Sequence, residues 1–304
     1  MAIGLSISDP ATITDDARFA EESGFDLIAV GEHLFHHGPV PNPFVQLAAA
    51  AAVTERVRLL SSVSLLPLYP AALLAKLATT LDIVSSGRLD LGLGAGGEYP
   101  AEFAAAGVDP STRFRRLDEG LQILHSLFSG ERVSFTGEFA TLDDVGLEPA
   151  PRQPGGPPIW LGGRGSGSLR RAGRHAAVWM PYMVTPERLT RGVAQARETA
   201  VDAGRDPASL SAALFVFVAV DADANWARRT GITAVSRTYQ QDFTSLADRY
   251  LLLGTPNAVT ERIHEFTAAG AETIVLQVAA HDAVDRARIR DTLVADVLPE
   301  VGSR

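Results

Sequence analysis

Short runs of aliphatic and β-branched residues alternate along the chain with longer stretches whose apolar residues recur at helical spacing. The short runs predict eight strands, at Ile3–Ser8, Leu27–Gly31, Val57–Ser64, Leu89–Gly94, Pro158–Gly162, Ala177–Pro181, Leu210–Val220 and Thr273–Ala279. The longer stretches predict helices at Thr14–Ser23, Phe44–Glu55, Ala71–Ser85, Arg113–Phe128, Ser166–His175, Pro186–Ala203, Asn225–Tyr239, Pro256–Ala269 and Asp285–Val297. Strand alternating with helix is typical of parallel strands joined by crossovers. Eight such units in 304 residues predict an α/β fold that is a single (β/α)8 TIM barrel.

The segment 129–157 interrupts this alternation after the fourth strand–helix unit. It is rich in Gly and Pro and short of helical pattern, which is typical of an insertion. We therefore predict one domain over residues 1–304, with this insertion lying over the barrel mouth. The segments with the least regular pattern, 34–44, 98–111 and 129–157, are expected to determine substrate selectivity.

Composition narrows the classes of protein to consider. The chain has no cysteine, which excludes disulfides, zinc–thiolate sites and cysteine nucleophiles. A formal net charge of −9 argues against a general binder of nucleic acid or membrane surfaces. The chain begins without a signal-peptide pattern and holds no apolar run of transmembrane length, so we expect a cytoplasmic protein without membrane contacts.

The stretch GRLDLGLGAGG contains the dinucleotide-binding pattern G-x-G-x-x-G through Gly92, Gly94 and Gly97. A Rossmann phosphate loop requires a helix that opens inside the motif. Here Pro100 interrupts, and the next clear helical pattern begins near Arg113. The context favours a barrel strand whose terminal glycines let a flat ligand approach the backbone.

A second glycine cluster, Gly162-Gly163-Arg164-Gly165-Ser166, lies between a predicted strand and a predicted helix. Free backbone N–H groups at a helix start, a hydroxyl group and an arginine together favour an anion site, most naturally for a phosphate. Tight packing beside the aliphatic strand is the alternative role for these glycines.

The order of these motifs resembles that of the luciferase-like flavin and deazaflavin oxidoreductases. The resemblance rests on GRLDLGLGAGG with the downstream EF and AG, on PPIWLGGRGSGSLRRAGRHAAVW and on LGTPNAVTERIHEFTAAGAETIVLQV, so it covers nearly the whole chain. It implies a (β/α)8 barrel, often dimeric, with FMN or coenzyme F420 at the C-terminal mouth.

The resemblance also implies roles for individual residues. Glu32 and His33 correspond to an acid–histidine pair near the redox face of the cofactor ring. A bulge that supports the ring, sometimes with a cis non-prolyl peptide, corresponds to Ser62, Val63 and Ser64. The segment flanking the ring and phosphate corresponds to Gly94, Ala95, Gly96 and Gly97, and the phosphate-binding turn to Gly162, Gly163, Arg164, Gly165 and Ser166.

Two departures from the family pattern fall in the fourth strand's loop. Luciferase-type members carry an arginine there for the phosphate, and this chain has only Ala95, Gly96 and Gly97. This assigns the compensation of phosphate charge to Arg164. Some deazaflavin members have an acid in this loop one position earlier than Glu98.

The leading hypothesis is two-electron hydride transfer between F420 or FMN and a small organic substrate. His33 would exchange the accompanying proton, and Glu32 would set the tautomer or charge of His33. F420 is slightly favoured because the acid–histidine pair suits hydride chemistry and the luciferase-type arginine is missing. Tyr182, after the sixth strand, is predicted to contact substrate. For His281, after the last strand, substrate contact and a solvated loop position are both open.

Three alternatives stay open from the sequence. An FMN-dependent monooxygenase would use O2 and flavin reduced by a separate reductase. A metal-dependent barrel hydrolase would use His33, His36, His37 and His281, although no carboxylate stands at an obvious ligand spacing and we predict no metal. A flavin-binding protein without turnover is the third. The tryptophans Trp160 and Trp179 are predicted to lie in the core.

Overall fold

Eight parallel strands form a closed barrel in the computed structural model, which describes residues 1–97 and 99–301. The barrel strands are β1 (Ala2–Ser6), β2 (Leu27–Val30), β3 (Arg58–Ser61), β4 (Leu89–Gly94), β5 (Ile159–Gly162), β6 (Val178–Met180), β7 (Ser211–Val220) and β8 (Thr273–Val278). Each strand pairs in parallel with the next, and β8 closes the ring by pairing with both β7 and β1. The predicted (β/α)8 barrel is confirmed.

Helices surround the barrel, and all but α4, α9 and α12 lie at positions that the apolar spacing predicts. They are α1 (Ile13–Glu22), α2 (Pro43–Ala51), α3 (Ala71–Val84), α4 (Pro100–Ala105), α5 (Arg113–Phe128), α6 (Ser166–His175), α7 (Pro186–Asp202), α8 (Ala224–Tyr239), α9 (Ala247–Tyr250), α10 (Pro256–Ala268), α11 (Ala283–Thr292) and α12 (Leu298–Val301). A π-helical turn at Leu293–Val297 joins the last two. Two short strands extend the sheet, Ser64–Leu65 beside β4 and Leu252–Gly254 beside β7.

The short helix α4 corrects the interpretation of Pro100 as a break. Proline lacks only the N–H that a first helical residue leaves unpaired, so it suits the first turn of a helix. Pro100 is the first residue of α4, and Glu102 brings an acidic side chain into the same first turn. The helix therefore begins thirteen residues before Arg113, the start of α5 (Pro100 to Arg113).

Alternation along the strands separates two apolar cores. One set fills the barrel interior and comprises Leu27, Ala29, Leu60, Trp160, Met180, Ala213 and Val275. Their neighbours along the strands face outwards and pack against the helices. The predicted core positions of the tryptophans are confirmed, because Trp160 is 6% and Trp179 2% exposed. At the N-terminal end, an ion pair between Arg58 and Asp90 (Nε to Oδ2, 2.7 Å) lies between β3 and β4.

The insertion forms an antiparallel hairpin, Val133–Thr136 with Thr141–Val145, on the outside of the barrel. At its tip the backbone N–H groups of Glu138 and Phe139 donate to Glu119 on α5, at 2.7 and 3.0 Å. The returning chain is bound at Gln153, whose backbone N–H donates to Asp82 near the end of α3 (2.9 Å). The hairpin tip also contacts the first turn of α5, where Arg115 pairs with Glu138 and the guanidinium of Arg116 lies 4.2 Å from the Phe139 ring centroid. That the segment lies over the barrel mouth stays a prediction.

Candidate active site at the barrel mouth

The end of β3 forms a bulge that the glycines of neighbouring strands accommodate. The peptide bond Ser62–Val63 is cis, and the chain then pairs with β4 again at Ser64. A Cβ atom added to Gly94 would lie 2.7 Å from Val63 Cγ2, and one on Gly162 would lie 3.4 Å from Val63 Cγ1. Val63 therefore occupies the space that these two glycines leave at the C-terminal end of the barrel.

Gly92 is also constrained by β3, through Ser61. A Cβ atom there would lie 1.9 Å from the carbonyl oxygen of Ser61, so no larger residue fits. The Ser61 hydroxyl also donates to the Gly92 carbonyl (2.9 Å) and accepts from the Gly92 N–H (3.0 Å). The glycine pattern thus serves close contact between β3 and β4, and the prediction against a Rossmann loop agrees with this geometry.

Several buried polar atoms at this end of the barrel have no hydrogen-bond partner among the described residues. They are the hydroxyl oxygens of Ser62, Ser64 and Tyr99, together with Nε of Arg113. A buried polar atom left unpaired costs about 1–3 kcal/mol, and such atoms are rare in folded proteins. A polar ligand at the mouth would give these groups partners, so the residues present fit a bound cofactor.

His33 and Glu102 form the polar pair at the centre of the site. His33 follows β2, and its Nδ1 lies 3.1 Å from Oε1 of Glu102 on α4. Glu102 is fully buried, and the same Oε1 accepts the backbone N–H groups of Leu34 (2.7 Å) and Phe35 (3.3 Å). A carboxylate oxygen that accepts backbone N–H groups has no proton of its own to donate. Nδ1 of His33 is therefore the donor in this contact. The imidazole is thereby oriented, with 22% of the side chain exposed.

This geometry corrects the pairing of His33 with Glu32. Both oxygens of Glu32 bind other groups: Tyr69 Oη and Asn42 Nδ2 (3.2 Å) donate to Oε1, and the backbone N–H of Leu65 (2.8 Å) donates to Oε2. Neighbours along the chain need not meet, because consecutive side chains diverge in a loop. Burial raises the pKa of Glu32, and the nearby Glu102 carboxyl raises it further. Glu32 therefore links the loop after β2 to the bulge region and to the start of α2.

Further aromatic rings surround His33. The ring of His36 lies 4.7 Å from that of His33 between centroids, and Tyr99 lies 5.4 Å from His36 and 4.9 Å from His37. Across residues 1–97 and 99–301, no group of three or more His, Asp or Glu side chains is arranged to hold a metal ion. The histidines therefore form an aromatic cluster at the mouth, and the hydrolase alternative lacks a ligand set in that part of the chain.

The predicted phosphate turn lies at the start of α6. Gly165 caps this helix with extended backbone and no side-chain hydrogen bond, whereas Thr185 caps α7 by accepting from the Arg188 N–H. The first N–H groups of an α-helix have no partner within the helix, so an uncapped start can bind an anion. The structure thus leaves the start of α6 without a side-chain competitor for an anion.

Two arginines lie near the ends of β4 and β5. The side chain of Arg113, the first residue of α5, lies against Gly97, where a Cβ atom would be 2.9 Å from Nε. It reaches, from the start of α5, the loop in which the family's arginine is missing. Arg164, to which the sequence assigned the phosphate charge, has its guanidinium 5.0 Å from the ring centroid of Tyr182. It also donates weakly to the carbonyl of Met183 (3.4 Å).

The two predicted substrate residues lie in different environments. Tyr182 is half-buried after β6 and packs beside an apolar cluster that includes Met183 and Phe217. His281 is exposed in the loop after β8, which agrees with the alternative of a solvated loop position. Glu98 lies outside the described residues.

The role of Glu102 and the position of Arg113 beside Gly97 were not predicted from the sequence. The signal for Glu102 is Pro100 followed by an acid two residues later, a pattern typical of a helix start. Arg113 carries no such signal, because its contact with Gly97 depends on how α5 approaches the end of β4.

Comparison with known proteins agrees with the fold and identifies the family. The family model for luciferase-like monooxygenases matches residues 2–273. The F420-dependent glucose-6-phosphate dehydrogenase of Nakamurella multipartita is 36% identical over 176 residues, which cover 55% of this chain and 50% of that protein. The 4-hydroxyprotoasukamycin monooxygenase of Streptomyces nodosus subsp. asukaensis is 33% identical over 175 residues, covering 56% and 46%. The chain thus matches about half the length of these two curated relatives.

Solved structures share the whole architecture. Monooxygenase RslO1 from Streptomyces bottropensis superposes with a TM-score of 0.86 at 28% identity, over 98% of this chain and 99% of that one. An F420-dependent secondary alcohol dehydrogenase in complex with an F420–acetone adduct has the same fold, with a TM-score of 0.87 at 21% identity over 99% of both chains. No helix among the described residues is long and apolar enough to cross a membrane. The match over residues 2–273 confirms the resemblance drawn from the motifs, and the chain belongs to the luciferase-like monooxygenase family.

Proposed function

We propose that the protein is an oxidoreductase that binds F420 or FMN at the barrel mouth and transfers a hydride to or from a small organic substrate. The observation that carries this proposal is the contact of His33 Nδ1 with the buried Glu102 carboxyl group, at 3.1 Å. A histidine oriented in this way can exchange a proton at its other ring nitrogen. The similar dehydrogenases and monooxygenases support an oxidoreductase of one of these two kinds.

His33 and Glu102 divide the proton chemistry between them. Because Glu102 holds the Nδ1 proton, Nε2 of His33 is the atom that takes a proton from a substrate hydroxyl group or returns one to a carbonyl oxygen. The Glu102 carboxylate stabilises the imidazolium that forms when Nε2 is protonated. The bound cofactor supplies the hydride chemistry, which no side chain can perform.

The remaining mouth residues would hold the cofactor. Ser62, Ser64 and Tyr99 offer hydroxyl groups that have no other partner among the described residues. We propose that the start of α6 binds the phosphate and that Arg113 compensates its charge. Glu32 has a positioning role in this scheme, since it binds the Leu65 N–H just after the bulge (2.8 Å).

FMN-dependent monooxygenation is the second candidate function. It is supported by the similarity to the Streptomyces bottropensis monooxygenase along 98% of the chain. In that case His33 would position the substrate, and a separate reductase would supply reduced FMN.

Cofactor titration of the purified protein tests both candidates. FMN and F420 are added separately, and ligand fluorescence gives each dissociation constant. Binding of F420 alone would contradict the monooxygenase, and binding of neither would contradict the proposed function. With the cofactor that binds, His33→Ala should lower turnover about 10²–10⁴-fold and change cofactor affinity little. Unchanged turnover would remove His33 from the chemistry.

We also propose that the protein acts in the cytoplasm as a homodimer. Large apolar side chains are exposed on α2 and α3, with Val45 72% and Leu73 51% exposed. Contact with a second copy would remove both from water. Sedimentation equilibrium of the wild-type protein and of Val45→Lys tests the homodimer, and a monomeric wild type would contradict it.

A further inference from the structure

The mouth has a continuous apolar wall formed by aromatic side chains, which we call the aromatic wall. Its members are Tyr182 two residues after β6, Phe215 and Phe217 within β7, Tyr239 at the end of α8 and Phe243 in the segment that follows α8. The rings follow one another at close centroid distances, 5.8 Å from Phe215 to Phe217, 5.9 Å from Phe217 to Tyr239 and 5.5 Å from Tyr239 to Phe243. A backbone bridge pairs Tyr182 with Phe215.

The aromatic wall faces the inside of the barrel. Ala213, Phe215 and Phe217 occupy alternate positions of β7, so they share one face of the strand. Ala213 lies in the interior core, and Phe215 contacts both that core and the aromatic wall. The residues between them, Leu214 and Val216, pack against the outer helices. The wall therefore continues the barrel interior upwards towards the mouth.

His33 lies on the opposite side of this mouth. It follows β2, whereas Tyr182 follows β6, and three strands lie between β2 and β6 in either direction around the ring of eight. The two strand ends are thus diametrically opposed. A substrate whose reacting group meets His33 extends its other end towards the aromatic wall.

Several charged groups on the elements that carry the aromatic wall are engaged by other side chains. Arg228 on α8 forms an ion pair with Asp248, and the guanidinium of Arg249 lies 5.1 Å from the Tyr250 ring centroid. Arg164 contacts the wall from its edge, over the ring of Tyr182. Burying a charged group against such a surface without a partner is unfavourable, whereas burying apolar area is favourable.

We propose that the substrate is an uncharged, largely apolar molecule, with an aromatic or alicyclic body that packs on the aromatic wall while its reacting group meets His33. This inference rests on the proposed function, because it names the substrate class of the same site. Such a substrate class differs from the phosphorylated sugars on which a sugar-phosphate dehydrogenase acts. The dehydrogenase of Nakamurella multipartita, 36% identical over its matched region, is named for such a sugar.

A neutral aromatic ketone whose fluorescence depends on polarity, 6-propionyl-2-(dimethylamino)naphthalene, reports on the aromatic wall without requiring turnover. The full-length protein, loaded with whichever of F420 and FMN it binds, is titrated with this probe. We expect a blue shift on binding, displacement by cyclohexanone derivatives and no displacement by glucose 6-phosphate. Tyr239→Lys should weaken probe binding at least tenfold. Val201→Lys, which adds the same charge on the exposed outside of α7, should change it less than twofold.

Tyr182→Gln provides a second variant if circular dichroism shows that Tyr239→Lys does not fold. It removes a ring of the aromatic wall without adding charge, and we expect probe binding to weaken about fivefold by loss of apolar area. Absence of a blue shift in the loaded protein, equal binding by the folded variants, or displacement by glucose 6-phosphate would overturn the inference. Failure to bind either cofactor would instead overturn the proposed function, so the two failures are distinguishable.

Discussion

Replacing Glu102 by glutamine tests whether this carboxylate, which lies 69 residues from His33 in sequence, determines which ring nitrogen of His33 carries the proton. Glutamine keeps the size of the side chain and one oxygen for the Leu34 N–H. It removes the charge and can present an N–H₂ group to Nδ1 of His33. The proton of the neutral imidazole would then move to Nε2, since two donors cannot face each other.

The expected magnitude follows from the contact that is lost. A hydrogen bond to a charged group contributes about 1.5–3 kcal/mol, and each 1.4 kcal/mol changes a rate about tenfold. Glu102→Gln should therefore lower turnover about 10- to 150-fold. Cofactor affinity should stay within about threefold, because Glu102 binds His33 and the adjacent backbone. In ¹⁵N spectra, the resonances of His33 should change from the Nδ1–H to the Nε2–H tautomer.

Glu119→Gln is the matched control for this variant. Glu119 also accepts two consecutive backbone N–H groups, those of Glu138 and Phe139, but it lies outside the mouth. It should reproduce any general loss of stability without the change in turnover. If His33 and Glu102 act as a unit, combining Glu102→Gln with His33→Asn should be no worse than His33→Asn alone. A turnover within twofold of wild type in folded Glu102→Gln would refute the assigned pair.

Three further predictions concern other parts of the molecule. Arg113→Ala should raise the dissociation constant of the cofactor at least tenfold, and Arg164→Ala should raise it less, as measured by ligand fluorescence. A larger effect of Arg164→Ala would show that Arg164 compensates the phosphate charge. Gly94→Ala should lower the free energy of unfolding by about 1–3 kcal/mol, because the new methyl would meet Val63, and an unchanged urea midpoint would contradict this packing. Burial and the neighbouring His125 lower the pKa of His175 to about 4 from 6.5, so the folded state resists its protonation. The free energy of unfolding should therefore fall by about 1–2 kcal/mol, after allowance for solvent contact, as the pH decreases from 6.5 to 4. His175→Gln should remove this loss, and urea titrations at pH 7 and pH 4 measure it.

The barrel could be predicted because its determinants are local and periodic. Runs such as Leu210–Val220 and stretches such as Arg113–Phe128 carry their own strand and helix patterns, and their alternation restricts the topology to parallel strands. The helix at Pro100 escaped prediction because proline was interpreted by its effect inside a helix rather than at its first residue. The hairpin after α5 escaped as well, since its strands, Val133–Thr136 and Thr141–Val145, are largely exposed and lack a strong apolar pattern.

The site was harder to predict because its contacts join residues that are distant in sequence. Glu32 stands beside His33 in the chain, yet Glu102 contacts the imidazole, because α4 returns over the loop that follows β2. Motif order was sufficient to identify the phosphate turn as a candidate anion site. It gave no indication that Arg113, which comes from a separate helix, lies beside Gly97.

The glycines of GLGAGG show why a sequence pattern and its physical cause can differ. Each glycine leaves room for a different neighbour: Gly92 for the carbonyl oxygen of Ser61, Gly94 for Val63 and Gly97 for Arg113. Two of these neighbours belong to the bulged end of β3 and one to the start of α5, so their spacing in the chain bears no relation to the spacing of the glycines. A loop that binds pyrophosphate requires small residues so that the ligand can approach, whereas here protein atoms fill the space. The same letters therefore build the floor of a barrel mouth, and the proposed anion site lies one strand further, at the uncapped start of α6.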